Sequence, residues 1–223
     1  MLIREITDHR PVPLHPESTV AQAVDAMQTA GLRYYPIVSD DDVQILLGQA
    51  SMEDILQYAP SPDAPLEKGA GYGLVIRDGM HVLEAAHTML QHERNSLPVV
   101  GMDGGYIGII SRLKLIDAVT RLLNLNDSGT VIMVEMKPRD FMLSDIIRII
   151  ESEGARILTL TVQSPDAVQE NYRISVKLNL DDLSRVGNAL RRYGYIISVE
   201  SAAALSDDEI ADRADAFLRY LDI

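Results

Sequence analysis

The 223-residue chain contains no cysteine and no tryptophan. Without cysteine there can be no disulfide, no thiolate-bound metal and no cysteine nucleophile, while the redox compartment stays open. No stretch approaches the roughly 18 uninterrupted apolar residues of a membrane span, so no membrane association is expected. Met1-Leu2-Ile3-Arg4-Glu5 runs directly into charged sequence without the apolar core of a signal peptide, which makes a cytoplasmic location the expectation. Cationic excess is missing too. Twenty lysines and arginines face 33 aspartates and glutamates, a formal charge of −13, which argues against nucleic acids and anionic membranes as partners. A small anionic ligand is still allowed, because a few arginines can hold a phosphate locally. The catalytic signatures are absent as well: there is no HExxH, no P-loop and no nucleophile elbow. His81, His87 and His92 are six and five apart, not the three or four that aligns metal ligands on a helix. Neither an enzyme nor a metal protein is expected.

What the chain does contain is a repeat. Gly48-Gln49-Ala50-Ser51-Met52-Glu53-Asp54-Ile55-Leu56 is echoed by Gly108-Ile109-Ile110-Ser111-Arg112-Leu113-Lys114-Leu115-Ile116. In each, an apolar run ends at a serine and helical apolar spacing follows, so the serine stands near a helix N-cap. Upstream, Val20, Met27, Pro36 and Val38 recur as Val82, Met89, Pro98 and Val100, a shift of 62 that becomes 60 by Gly48 and Gly108. The two-residue difference falls in the turns at 39–42 and 101–105, where length changes are tolerated. Two copies are too few for a solenoid, so a pseudo-twofold pair is predicted.

Each copy reads as strand, helix, strand, strand, helix (β-α-β-β-α), with strands expected at 35–38, 43–47, 74–77, 97–100 and 106–110 and helices over 20–30, from Ser51, over 82–91 and over 112–123. Gly31 is placed to end the first helix. The predicted organisation is a first repeat at 1–60, a connector rich in proline and glycine at 61–73, a second repeat at 74–124, and a boundary in the polar stretch 124–129. Residues 129–200 change to a βαββαβ order, the ferredoxin-like sequence of elements, with a helix expected over 181–193. A capping-box spacing at Ser206-Asp207-Asp208-Glu209 opens an amphipathic helix over 205–223. The fold class is therefore α/β followed by α+β.

Tyr35-Pro36-Ile37-Val38, Leu97-Pro98-Val99-Val100, the glycine before each third strand and the serine opening each last helix resemble the marks of CBS domains, which pair into one module. Residues 129–200 resemble an ACT domain, and the order CBS, CBS, ACT resembles bacterial acetoin-utilisation-type regulatory proteins. The resemblance implies an adenosine-containing ligand (AMP, ADP, ATP or a compound like S-adenosylmethionine), bound by a [S/T]-x-x-D motif whose aspartate accepts hydrogen bonds from the ribose. Ser51-Met52-Glu53-Asp54 matches that motif, and family geometry supplies the opposite wall from Ile76, Asn95, Ser96, Leu97 and Pro98. The second copy departs from the pattern, with Lys114 where the carboxylate belongs in Ser111-Arg112-Leu113-Lys114. Its site, with Arg33 and Tyr34 facing it, suits a phosphate or no ligand. The resemblance further implies a homodimer, a regulatory rather than catalytic role, an unidentified partner enzyme and no tightly held cofactor.

Plainer readings stand beside these. Asp54 is also an N3 acid suited to the helix dipole, and Ser51 is also a cap. ACT domains often hold an amino acid at the first strand-to-helix loop, where a glycine lets the backbone approach. Here that loop is Lys137-Pro138-Arg139-Asp140-Phe141, without glycine. Arg139 and Asp140 are its candidates for a carboxylate and an amine, against a purely dimerising role. The rival to ligand sensing is a ligand-free adaptor that dimerises and docks a partner.

Overall fold

The computed structural model describes residues 1–58, 61–66 and 73–200. They divide into two compact units, Met1–Leu122 and Leu123 onward. The helix expected over 205–223 and part of the 61–73 connector lie outside the described residues. Among the described residues no helix is long and apolar enough to cross a membrane.

In the first unit, copy one comprises α1 (Val20–Ala30), β1 (Tyr34–Val38), β2 (Leu46–Ser51) and α2 (Met52–Tyr58). Copy two comprises β3 (Ile76–Arg77), α3 (Val82–Gln91), β4 (Ser96–Val100), β5 (Tyr106–Ser111) and α4 (Arg112–Leu122). β1 and β2 pair antiparallel, and β4 lies between parallel β3 and antiparallel β5. Leu14 takes in copy one the place that Ile76 holds in copy two, as a parallel bridge to Ile37. The register of each antiparallel pair slips at the same step, after Ile37 and after Val99.

The two cores repeat residue by residue. Leu14, Ala23, Met27, Tyr35, Ile37 and Ala50 are buried in copy one; Ile76, Ala85, Met89, Leu97, Val99 and Ile110 are their counterparts in copy two. Helical spacing places Ala23 and Met27 on the inner face of α1, and Ala85 and Met89 on that of α3. Thr19 and Gln22 form a capping box at the start of α1, and Gly31 ends the helix in the left-handed conformation (φ 66°) that glycine adopts without a steric penalty. His81, expected to be a plain surface histidine, caps α3 by accepting the Leu83 amide at 3.3 Å.

Two local expectations change. The strand predicted at 43–47 begins instead at Leu46, because Ser39 closes the preceding turn: its amide donates to the Ile45 carbonyl and its Oγ accepts the Ile45 amide. The N-terminal residues, expected in copy one, pack with copy two. Ile3 joins that core, the Ile3 amide donates to the Met80 carbonyl, and Asp8 exchanges both backbone hydrogen bonds with Ile109 on β5. Gly108 makes that approach possible, since a Cβ there would sit 2.5 Å from the Asp8 carbonyl oxygen.

The second unit runs β6 (Thr130–Met136), α5 (Leu143–Ser152), β7 (Ile157–Gln163), β8 (Tyr172–Leu178), α6 (Ser184–Arg192) and β9 (Ile196–Glu200), in an antiparallel sheet of order β7-β8-β6-β9. Period-two alternation sends Ile132, Val134, Ile174 and Val176 into the core beside Ile146, Ile150, Val186 and Leu190 of the helices. α6 starts three residues later than its spacing suggests, because Asp182 turns back to accept the Ser184 amide and hydroxyl. Leading into β6, the stretch after α4 is tied down: Lys177 Nζ donates to the carbonyls of Asn124, Leu125 and Asp127, Thr159 Oγ1 to that of Leu123, and Asn124 Nδ2 to that of Leu158.

Candidate functional site

Ser51 and Ser111 each end a strand and begin a helix. Their hydroxyls accept the amides three residues on, Asp54 at 3.4 Å and Lys114 at 3.3 Å, so both act as N-caps. The backbone around them repeats as well: the Met52 amide donates to the Arg33 carbonyl and the Arg112 amide to the Asn95 carbonyl, each at 2.9 Å. These bonds anchor the last helix of each copy to the residue entering its central strand.

At this junction lies a cleft of about 1210 Å³, above the roughly 300–1,000 Å³ usual for small-molecule sites. Its walls include Arg33, Tyr34, Ser51, Glu53, Asn95 and Arg112. Copy one and copy two both contribute. Leu56 and Leu90 add apolar surface. The charges are mixed, two arginines and two glutamates, Glu53 and Glu93.

The predicted site residues distribute unevenly about this cleft. Ser51 and Asn95, expected on opposite walls, both line it, and so do Arg33 and Tyr34, which the resemblance assigned to the other site with Ser111 and Lys114. Asp54 is exposed on the first turn of α2 and stands outside the cleft lining, whereas its neighbour Glu53 belongs to it. Ile76 and Leu97 are fully buried in the copy-two core; hydrogen-bonded pairing of β3 with β4 puts both into packing instead of a wall. Pro98 is buried beside them, and Ser96 is buried with its hydroxyl donating to the Tyr34 carbonyl at 3.1 Å. Ser111 and Lys114 lie outside the cleft lining. Lys114 instead places its charge near Asp8, whose carboxyl is held down to about 2, chiefly by hydrogen bonds from Arg10.

Sequence reasoning missed Arg112 and took Arg94, like Arg33, for a solvated arginine in preference to a phosphate ligand. The Arg94 guanidinium lies 3.7 Å from the centroid of the Tyr34 ring, and Arg112 Nη2 donates to the Arg94 carbonyl at 2.8 Å. A signal was available: 62 residues before Arg94 stands Leu32, so a cation replaces an apolar residue in the repeat. At the opposite end of β5 from Ser111, burial pushes the Tyr106 hydroxyl well above the usual phenol range. In the second unit Arg139 and Asp140 are exposed and paired with each other at 3.4 Å, so each already satisfies the other's charge. Among the described residues no group of histidine, aspartate and glutamate is arranged to hold a metal ion.

Comparison with known proteins matches the CBS domain family over residues 3–61 and 74–121. The chain carries a tandem pair of CBS domains. Similar solved structures include a CBS domain pair/ACT domain protein from Thermotoga maritima, at 18% identity over 55% of this chain and 99% of that one, with a TM-score of 0.48. An acetoin utilization protein from Vibrio cholerae is 27% identical over 56% of this chain and 95% of its own, with a TM-score of 0.49. The CBSX2 protein, solved in complex with AMP, is 22% identical over 54% and 97%, with a TM-score of 0.47. In this CBS pair the matched segments are the two copies of the repeat, and the residues around the cleft come from both.

Proposed function

We propose that the CBS pair is a regulatory sensor that binds an adenosine nucleotide in this cleft. In this reading Ser51 and Asp54 sit at the ribose with Tyr34, the strand-pairing partner of Ser51, beside them, Asn95 lies across from them, and Arg33 and Arg112 meet the phosphates. The observation that carries it is the gathering of Ser51, Asn95, Arg33 and Arg112 from two sequence-distant copies around one cleft large enough for a nucleotide. Charge-assisted hydrogen bonds from arginine to phosphate are about twice as strong as neutral ones, so phosphorylated ligands are favoured over S-adenosylmethionine. AMP in the CBSX2 complex makes it one of the ligands to try. The role is regulatory, with the second unit as an ACT-like output element.

The test is a thermal-shift panel of AMP, ADP, ATP and S-adenosylmethionine on wild type, Asp54→Ala and Glu53→Ala. A ligand at 100 times its dissociation constant adds about 2.7 kcal/mol, about 5 °C or more for a protein of this size. The reading predicts a shift in wild type that Asp54→Ala removes. If Glu53→Ala removes it and Asp54→Ala does not, the ribose carboxylate is Glu53. No shift with any nucleotide would reject the sensor.

A second reading has its own observation. Leu56, Leu90, Leu113 and Ile116 of α2, α3 and α4 are 56–80% exposed, more apolar surface than a free module needs. It fits a homodimer or an adaptor docked to a partner enzyme, whose capture would be indifferent to nucleotides.

A further inference from the structure

The two copies end their first helix with one backbone and different side chains. Where copy one has Ala30 and Gly31, copy two has His92 and Glu93. Gly31 and Glu93 both take the left-handed conformation, φ 66° and 52°, which glutamate enters at a steric cost that glycine does not bear. The turn keeps its shape in both copies. His92 and Glu93 line the cleft, whereas Ala30 and Gly31 are not among its lining residues. His92 Nδ1 lies 2.9 Å from the Thr88 carbonyl oxygen, and a carbonyl only accepts, so Nδ1 carries a proton and Nε2 is the ring nitrogen left for the cleft. Arg112 stands close by, because its Nη2 donates at 2.8 Å to the carbonyl of Arg94, two residues on. The charged groups around the imidazole are Arg33, Arg112 and the Arg94 guanidinium over Tyr34, which oppose a positive ring, and Glu53 and Glu93, which favour one. The C-terminus of α3 favours it too.

We propose that His92 is a phosphate contact of the cleft whose protonation is coupled to binding, so that the nucleotide is held more tightly as pH falls; the inference rests on the nucleotide reading above. With Nδ1 fixed as a donor, a neutral ring offers a phosphate only the lone pair of Nε2, which repels phosphate oxygens. Protonation turns Nε2 into a charged donor. Imidazole is the side chain whose ordinary ionisation falls in the physiological range. A bound phosphate favours the protonated ring, so binding takes up protons. The added affinity is fully present below the ionisation of the free ring and is lost as pH rises through that of the bound one. Arginine stays charged throughout this range, so Arg33 and Arg112 hold the phosphates at any pH and His92 makes the grip conditional.

The experiment is titration calorimetry of the full chain with ATP from about pH 5.5 to about pH 8.5, for wild type, His92→Gln and His92→Lys. Dividing each affinity by that of His92→Gln at the same pH removes the ionisation of the ligand's own phosphate, near about pH 6. For wild type this ratio should fall about tenfold across the range, as for a ring whose ionisation is raised by about one unit on binding. Repeating the titration in two buffers of different ionisation enthalpy should reveal a proton uptake that His92→Gln lacks. His92→Lys, charged throughout, should bind more tightly than His92→Gln by a factor that does not change with pH. A wild-type ratio that stays flat, or a His92→Lys chain that binds no better than His92→Gln, overturns the proton-linked contact and leaves the nucleotide reading intact. Failure of wild type to bind ATP at any of these pH values overturns both.

Discussion

At the residue scale, Asp8 ties the N-terminal segment to the second CBS copy through its backbone while its carboxyl holds Arg10 of the same segment. Its backbone pairs with Ile109, and its side chain receives Arg10 Nε at 3.0 Å and Nη2 at 2.7 Å. These hydrogen bonds lower its pKa from the ordinary 3.8 to about 2. A depressed carboxyl pKa means that the folded state favours the ionised form, so the resulting stability is fully present above about pH 4 and is lost as pH falls toward about 2. The stability difference between wild type and Asp8→Asn should therefore be constant from pH 7 to about 4 and shrink between 4 and 2, as measured by urea denaturation across that range. Arg10 is 83% exposed, so solvent screening keeps the difference small. The aspartate was visible in the sequence. Its partner was not, because nothing in a pattern of residues shows that the chain turns at Asp8 to lie along β5.

At the element scale, the join between α4 and β6 depends on Lys177. It sits on the face of β8 opposite the buried Ile174, Val176 and Leu178 and gives its ammonium to three backbone carbonyls of residues 124–127. Hydrogen bonds to a charged group contribute about 1.5–3 kcal/mol, and the freed carbonyls can rehydrate, so Lys177→Met should cost about 1–2 kcal/mol locally. Hydrogen exchange should show faster exchange of the amides from 123 to 129, with those of α1 and α3 unchanged. The helices and strands themselves were legible, because each has an apolar period that must be buried. Their ends were less so. Ser39 and Asp182 each moved a boundary by bonding the backbone locally, and such side-chain turns compete with the regular element without altering its hydrophobic period.

At the scale of the whole molecule, the two units have separate cores: no residue of the Ile132–Leu190 cluster appears in either CBS cluster. A fragment ending at residue 124 should accordingly fold alone, with a cooperative thermal transition and the nucleotide-induced shift of the full chain. Circular dichroism melting with and without ATP checks this. A fragment that is unfolded, or folded but unresponsive where the full chain responds, would mean that the second unit supports the site. The sequence pattern ends the repeat at residue 124 and sets a boundary at 124–129, where the order of elements changes; the structure divides after Leu122.

The sequence alone determined the repeat, the elements and the two serine-capped helix starts, because burial periodicity and capping are local and leave marks every few residues. It also carried the resemblance to CBS domains, which the family match over residues 3–61 and 74–121 bears out. Tertiary structure decided which candidates stand together. It put Ile76 and Leu97 into the core, drew Arg33 and Tyr34 to the cleft of Ser51, and brought Arg94 over the Tyr34 ring. Which residues share a wall depends on strand pairing and on the packing of one copy against the other. Those are contacts between residues about 60 apart, and no local pattern records them.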